Sequence, residues 1–280
     1  MFFVEIIKAI LQGIVQGITE WLPVSSTGHI LLLDSLWKMN AGEAFFDVFK
    51  VIIQLGSIMA VVVLYFHKLN PFSPKKSADE KKGTWVLWSK VLVASVPAAI
   101  AGLLLDDIID EALSTPLVIA AALIVYGIAF LWMESRPHAP AADSLEKISY
   151  KRALGIGAFQ MLALIPGTSR SGSTILGATL LGTSRTVAAE FSFFMAIPVM
   201  LGASALKLAK CFLLDGYTFS AQEWALLAVA TVVSFTVSLL VIRGLMAFIK
   251  KHSFAPFGWY RIVLGVVILL VLWLAPQVFA

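Results

Sequence analysis

Six stretches of the sequence, at 46–66, 85–105, 115–133, 187–208, 222–243 and 258–279, are each apolar for about the length of a bilayer crossing. A helix rises about 1.5 Å per residue, so roughly 20 apolar residues cover a hydrocarbon core about 30 Å thick. Only helices and closed barrels satisfy every backbone group in lipid, and long apolar runs select helices. The expected fold is therefore all-α and polytopic. Composition agrees, with 59% hydrophobic residues, 14% charged and a mean hydropathy of +0.90. So few charges cannot clothe a water-facing surface, which excludes a soluble enzyme, a disordered chain and a nucleic-acid binder. In 280 residues no extramembrane domain fits as well. The single cysteine, Cys211, excludes an internal disulfide and a thiolate metal cluster. The apolar N-terminus carries Glu5, Lys8, Gln12 and Gln16 and no small-residue cleavage pattern, so it is expected to be retained.

Two further apolar segments are too short to cross. Residues 9–22 stop at Pro23 and residues 153–165 stop at Pro166. Each would reach only about 20 Å as a helix. Each breaks at a proline followed by Ser, Thr and Gly, then resumes as a short apolar run. That pattern predicts two re-entrant helical hairpins, with six transmembrane helices around them. The two segments also match each other. Gln16 and Gln160 are 144 positions apart, as are Gly28 and Gly172, while Pro23 and Pro166 differ by 143. Three spans follow each hairpin, and a repeat with an odd number of spans must invert. The expectation is one membrane domain, 1–280, built as an inverted-topology repeat of about 1–133 and about 150–280. In such folds the binding site lies near the midplane, where the broken helices meet.

Lysine and arginine set the orientation. The 67–84 loop holds Lys68, Lys75, Lys76, Lys81 and Lys82. The 134–152 loop holds Arg136, Lys147, Lys151 and Arg152, and the 243–257 loop holds Arg243, Lys250 and Lys251. These loops are expected in the cytoplasm. The 106–114 connection, with Asp106, Asp107, Asp110 and Glu111, is expected on the opposite side, together with both termini. Lys207 and Lys210 run against this trend. Asp47, Lys50, Lys90 and Arg261 are read as groups that snorkel to the interface. Glu190 is read as either an ion-pair partner of Arg185 or a site residue. The Gly13-x3-Gly17 pair could pack helices closely. A homodimer is compatible with it.

Three ionisable groups remain: Glu20, His29 and Arg170, all at the hairpin tips. An ionised side chain there costs at least about 2.5–3.5 kcal/mol unless paired or hydrated. The economical arrangement is that they pair and line a wet cavity. Gln16 and Glu20 are four apart, on one helix face, and could share a cation or a water. The tips themselves, Pro23 to His29 and Pro166 to Thr174, are rich in hydroxyls and glycines. Each leads into a helix whose N-terminal N–H groups suit phosphate, and Arg170 adds a planar fork for phosphate oxygens. Candidate phosphate-binding residues are Ser25, Ser26, Thr27, Ser169, Arg170, Ser171 and Thr174.

The segments GITEWLPVSSTGH and PGTSRSGSTI resemble the two signature segments of the bacterial undecaprenyl pyrophosphate phosphatases, the bacitracin-resistance family. The likeness extends along the chain through IIQLGSIMAVV and FSFFMAIPVM. It implies an enzyme of the bacterial inner membrane that hydrolyses undecaprenyl diphosphate to undecaprenyl phosphate, recycles the lipid carrier for peptidoglycan synthesis and confers bacitracin resistance. It also implies a divalent cation, Mg²⁺ or Ca²⁺. The family's acidic motif falls on Gln16 and Glu20, its histidine on His29, its serine pair on Ser25 and Ser26, and its arginine on Arg170. Some members have Glu where this chain has Gln16, which leaves the metal and proton chemistry to Glu20.

In the mechanism so implied, Arg170 and the tip N–H groups hold phosphate oxygens while the prenyl tail lies in lipid. The nucleophile is Ser26, His29 or water, with Ser26 or water, activated within a Glu20–His29 group, preferred. The outward hairpin carries Glu20 and His29, so the site is expected to open to the outer face. A polyprenyl-phosphate transporter or flippase with the same midplane site is the alternative. A phosphatidic-acid-type phosphatase is disfavoured, because Ser184-Arg185 is followed at the required spacing by Phe191 rather than His.

Overall fold

The computed structural model describes residues 2–136, 140–275 and 278, without the side chains of residues 106–108, 110 and 111. Its principal helices are α1 (Phe2–Thr19), α2 (Ser26–Leu36), α3 (Glu43–Leu64), the single turn α4 (Phe66–Leu69), α5 (Ala78–Leu113), α6 (Pro116–Glu134), α7 (Tyr150–Met161), α8 (Arg170–Leu180), α9 (Arg185–Ala209), α10 (Ala221–Ile249) and α11 (Ala255–Leu274). Among the described residues seven helices are long and apolar enough to cross a membrane. The chain is thus an all-α polytopic membrane protein.

The six expected spans correspond to α3, α5, α6, α9, α10 and α11. The seventh is α1, which begins at Phe2 rather than near residue 9 and is about 27 Å long. Its polar start is tolerated because Lys8 donates to Glu5 at 2.8 Å and to the Lys38 carbonyl at 2.7 Å. The expected 106–114 connection is instead helical backbone, since α5 runs unbroken to Leu113. The side chains of Asp106, Asp107, Asp110 and Glu111 lie outside the described set.

Both helix breaks are built alike. Ser25 (φ +75°) caps α2 and Ser169 (φ +73°) caps α8, the two non-glycine residues with positive φ among the described residues. Each serine Oγ accepts from the N–H of the glycine three positions on, Gly28 or Gly172. A serine in the left-handed region costs about 1–3 kcal/mol, so the cap and the surrounding packing must hold it. In the second turn Gly167 (φ +94°) presses on the Ile119 carbonyl, where a Cβ would sit 2.6 Å from the oxygen.

Packing around the breaks is reciprocal. Helix α1 lies along α10, and α7 lies along α5. Helix α10 packs on α3, α5 packs on α9, α3 meets α9, and α6 meets α11. Gly13 lets α1 approach α10 so closely that a Cβ would lie 2.6 Å from the Ala230 oxygen. Gly157, 144 positions on, does the same for α7 against the Ala94 oxygen. The Gly13-x3-Gly17 face is therefore used inside the chain, against Ala230, Ser234 and Val237.

The basic loops gather at one end. Lys68 pairs with Glu190 at 2.6 Å, Lys90 reaches the Glu146 carbonyl, and Trp88 reaches the Leu69 carbonyl. Arg185 pairs with Glu134, which also accepts from the Phe254 N–H. Glu190 and Arg185 do not pair with each other, because a spacing of five places them on different faces of α9. At the other end Tyr217 donates to Glu223 at 2.6 Å, and this bond pushes its pKa up to about 12.

Gly157→Ala is expected to destabilise by about 1–3 kcal/mol, because the new methyl meets backbone that cannot give way. Gly244→Ala, where nothing lies within 4 Å, is expected to be neutral or slightly stabilising through helix propensity. Thermal unfolding of the two variants in detergent measures the contrast.

Candidate active site

Ser26 and Arg170 each occupy the first turn of the helix that follows a break, 144 positions apart. Between them lies Glu20, 3% exposed, just past the end of α1. Its Oε1 accepts from Arg170 Nη2 at 2.9 Å. Its Oε2 accepts from Gln16 Nε2 at 2.9 Å and from Ser26 Oγ at 2.8 Å. The buried carboxylate is thus matched by one guanidinium and two neutral donors, the arrangement that makes a buried charge tolerable. It also puts a hydroxyl in hydrogen-bond reach of a base.

Arg170 is held from behind. Its Nη1 donates to the Ser192 carbonyl at 2.9 Å, and its guanidinium lies 5.6 Å from the Trp21 ring centroid. Ser192 Oγ in turn lies 2.6 Å from Thr174 Oγ1. Ser171 Oγ donates to the Glu20 carbonyl at 3.0 Å, tying one break to the other.

Glu20, Ser25, Ser26, Thr27, Ser169 and Arg170 line a cavity of about 200 Å³. Ser171 and Thr174 are not among its lining residues; their hydroxyls serve the carbonyls and Ser192. His29 also stands apart. Its Nδ1 lies 2.6 Å from the Ser25 carbonyl and its Nε2 2.6 Å from the Tyr260 hydroxyl, with the two rings stacked. A carbonyl only accepts, so Nδ1 carries the proton in this bond. The structure brings Glu20, Gln16, Ser26 and Arg170 together and leaves His29 outside that group.

Arg261 overturns its reading as an interfacial anchor. It is fully buried on α11, donating Nη1 to the Pro23 carbonyl and Nη2 to the carbonyls of Gly167 and Thr168, all at 2.8–2.9 Å. One guanidinium thereby satisfies backbone freed by both breaks. Flanking Trp259 and Tyr260 look like interface residues, and nothing local in the sequence signals this long-range role. Trp21 and Ser192 likewise carry no local signal, and Gln160, which lines the cavity, stands out in the sequence only as a marker of the repeat.

Divalent cations such as Mg²⁺ and Ca²⁺ take oxygen ligands. The residues present offer the Glu20 carboxylate, Ser26 Oγ and Gln16 Oε1, which is buried without a partner among the described residues. No group of three or more His, Cys, Asp or Glu suited to a metal occurs among the described residues. The set fits a cation whose shell is completed by substrate oxygens.

The model of the family described as bacitracin resistance protein BacA matches residues 9–267. The chain belongs to that family. BacA-family relatives include the undecaprenyl-diphosphatase of Enterococcus faecalis, 56% identical over 271 residues, covering 96% of this chain and 98% of the relative. The undecaprenyl-diphosphatase of Lactiplantibacillus plantarum is 57% identical over 267 residues, covering 95% and 97%. The undecaprenyl-diphosphatase 1 of Clostridioides difficile is 56% identical over 265 residues, covering 95% of both chains.

Replacing Arg261 with Ala strands three carbonyls away from water. The expected loss is about 2–4 kcal/mol of stability, with phosphate release falling in step. Arg261→Lys, whose single ammonium cannot span both breaks, is expected to rescue less than half of that loss. Thermal midpoints of both variants in detergent check this.

Proposed function

We propose that the chain hydrolyses undecaprenyl diphosphate to undecaprenyl phosphate and inorganic phosphate, returning the lipid carrier to cell-wall synthesis. The observation that carries the reading is the Ser26–Glu20–Arg170 constellation in the cavity between the breaks. Ser26 Oγ attacks the terminal phosphorus and its proton passes to Glu20 Oε2, 2.8 Å away. The anhydride P–O bond breaks and undecaprenyl phosphate leaves. Water then attacks the phosphoserine phosphorus, the Ser26 Oγ–P bond breaks, Glu20 returns its proton to Ser26 Oγ, and the released inorganic phosphate keeps the protons of the water. Arg170 and the N–H groups at the starts of α2 and α8 neutralise charge on the transferring group. His29 holds the Ser25 carbonyl and so positions the Ser26 turn. A bound Mg²⁺ or Ca²⁺, held by Glu20 and Gln16, would neutralise charge on the diphosphate oxygens.

Further parts of the reading concern placement. The helix pairs α1–α2 and α7–α8 act as re-entrant hairpins of an inverted repeat, in a bacterial inner membrane. Support comes from the matched serine caps, the matched Gly13 and Gly157 contacts, and the starts of α1 and α7 at opposite ends. The loops with most lysine and arginine face the cytoplasm, and both termini face outward. Ala98, Val199 and Ala203 line the cavity from the halves of α5 and α9 farther from the basic loops. That favours access from the outer side.

Glu20→Gln is expected to lower kcat by about 10²–10⁴-fold. Ser26→Ala is expected to abolish a phosphoenzyme trapped by acid quench in wild type. Arg170→Lys should recover little of the loss in Arg170→Ala, because an ammonium lacks the fork. Stripping divalent cations with a chelator should stop phosphate release, and adding back Mg²⁺ or Ca²⁺ should restore it. A pure transporter, which shares this architecture, releases no phosphate from lipid diphosphate in detergent, so release itself decides between the two.

A further inference from the structure

The second break holds a polar side chain that the protein leaves unmatched. Gln160, on the last turn of α7, is 2% exposed, and neither its Nε2 nor its Oε1 has a hydrogen-bond partner among the described residues. Buried amides are almost always paired with protein or water, so one with no protein partner that also lines a cavity is placed to bind what enters it. Gln160 lines the cavity that also holds Glu20, Ser26 and Arg170.

Comparison with the first break shows why this amide is free. Gln16 stands 144 positions earlier, and its Nε2 is engaged by Glu20, four residues on. Four residues after Gln160 stands Leu164. The second segment has kept the amide and lost the acid. Ala163 and Leu164 line the same cavity one turn on from Gln160, with Ala98, Val199 and Ala203 also in the wall. Gln160 therefore shares one cavity with a charged group, Glu20 and Arg170, and with apolar wall residues, Gln54 being a further amide in the lining.

A prenyl diphosphate has three corresponding parts: distal phosphate, proximal phosphate, hydrocarbon. We propose that Gln160 binds the proximal phosphate, the one bonded to the prenyl chain, with Nε2 donating to a non-bridging oxygen. Oε1 accepts from a water on the same group. This rests on the phosphatase reading above, in which the Glu20–Ser26–Arg170 pole takes the distal phosphate. Because the proximal phosphate stays on the product, Gln160 holds substrate and product monophosphate alike. It contributes to binding more than to the transition state.

The test compares wild type with Gln160→Leu in detergent, using a short-chain prenyl diphosphate as substrate. Inhibitors are the matching prenyl monophosphate and inorganic phosphate. KM is expected to rise about tenfold with kcat within about threefold. The inhibition constant of the monophosphate should rise in parallel, while that of inorganic phosphate stays put. The thermal midpoint should not fall, because leucine of similar size replaces two unmatched polar atoms. An unchanged KM and monophosphate affinity would overturn the proposal. So would a shift confined to inorganic phosphate, which would move the amide to the distal group. A lower thermal midpoint with unchanged inhibition would make Gln160 structural. Monophosphate binding, read separately as a ligand-induced rise in midpoint, reports on Gln160 without hydrolysis. If wild type releases no phosphate, the phosphatase reading fails while this arm still decides the role of Gln160.

Discussion

Two helix breaks within a membrane protein free buried backbone groups, and the packing around them is organised to satisfy those groups. The cost of leaving such groups unmatched is several kcal/mol each in hydrocarbon. Arg261 satisfies Pro23, Gly167 and Thr168 at once, and Ser171 secures Glu20 and Leu22. With the breaks stitched together, the starts of α2 and α8 are fixed against each other. Ser26 and Arg170 then share one carboxylate. The site is a by-product of closing the breaks, and its chemistry comes from the residues placed on the first turns beyond them.

Much of this was legible from the chain alone. Prolines followed by Ser, Thr and Gly located both breaks, because helix-ending chemistry is local. Scarcity of charge singled out Glu20 and Arg170, because an unpaired ion in lipid is too costly to be accidental. The Glu20–Arg170 pair followed from that cost, but the partners of Arg261 and His29, also distant in sequence, escaped. Arg261 sits between two aromatic residues and looks like an interface anchor; its partners lie about 90 and 240 positions away. His29 sits three residues after Ser26, yet its ring turns to Tyr260 on α11. The start of α1 was read too late because Glu5 and Lys8 look like the end of an apolar run, whereas as a pair they can be built into a helix.

The two break segments share amide, proline and glycine positions and differ in the groups they bring to the cavity. Ser26 faces Arg170 at equivalent positions, and Glu20 faces Leu164. Two similarly capped turns thus carry different groups, with carboxylate and hydroxyl from one segment and the guanidinium from the other. Neither segment holds all three groups, so the Glu20–Ser26–Arg170 cluster exists only where the two meet.

The reciprocal packing carries a mechanical consequence. Helix α5, from the first half, lies against α7 and α9 of the second, and α10 of the second lies against α1 and α3 of the first. The halves are interlaced like clasped fingers, and glycines bring backbone to backbone at the crossings. Rocking one half on the other would have to open all of these seams together. The cavity, walled by α5 and α9 together, is braced by those same seams.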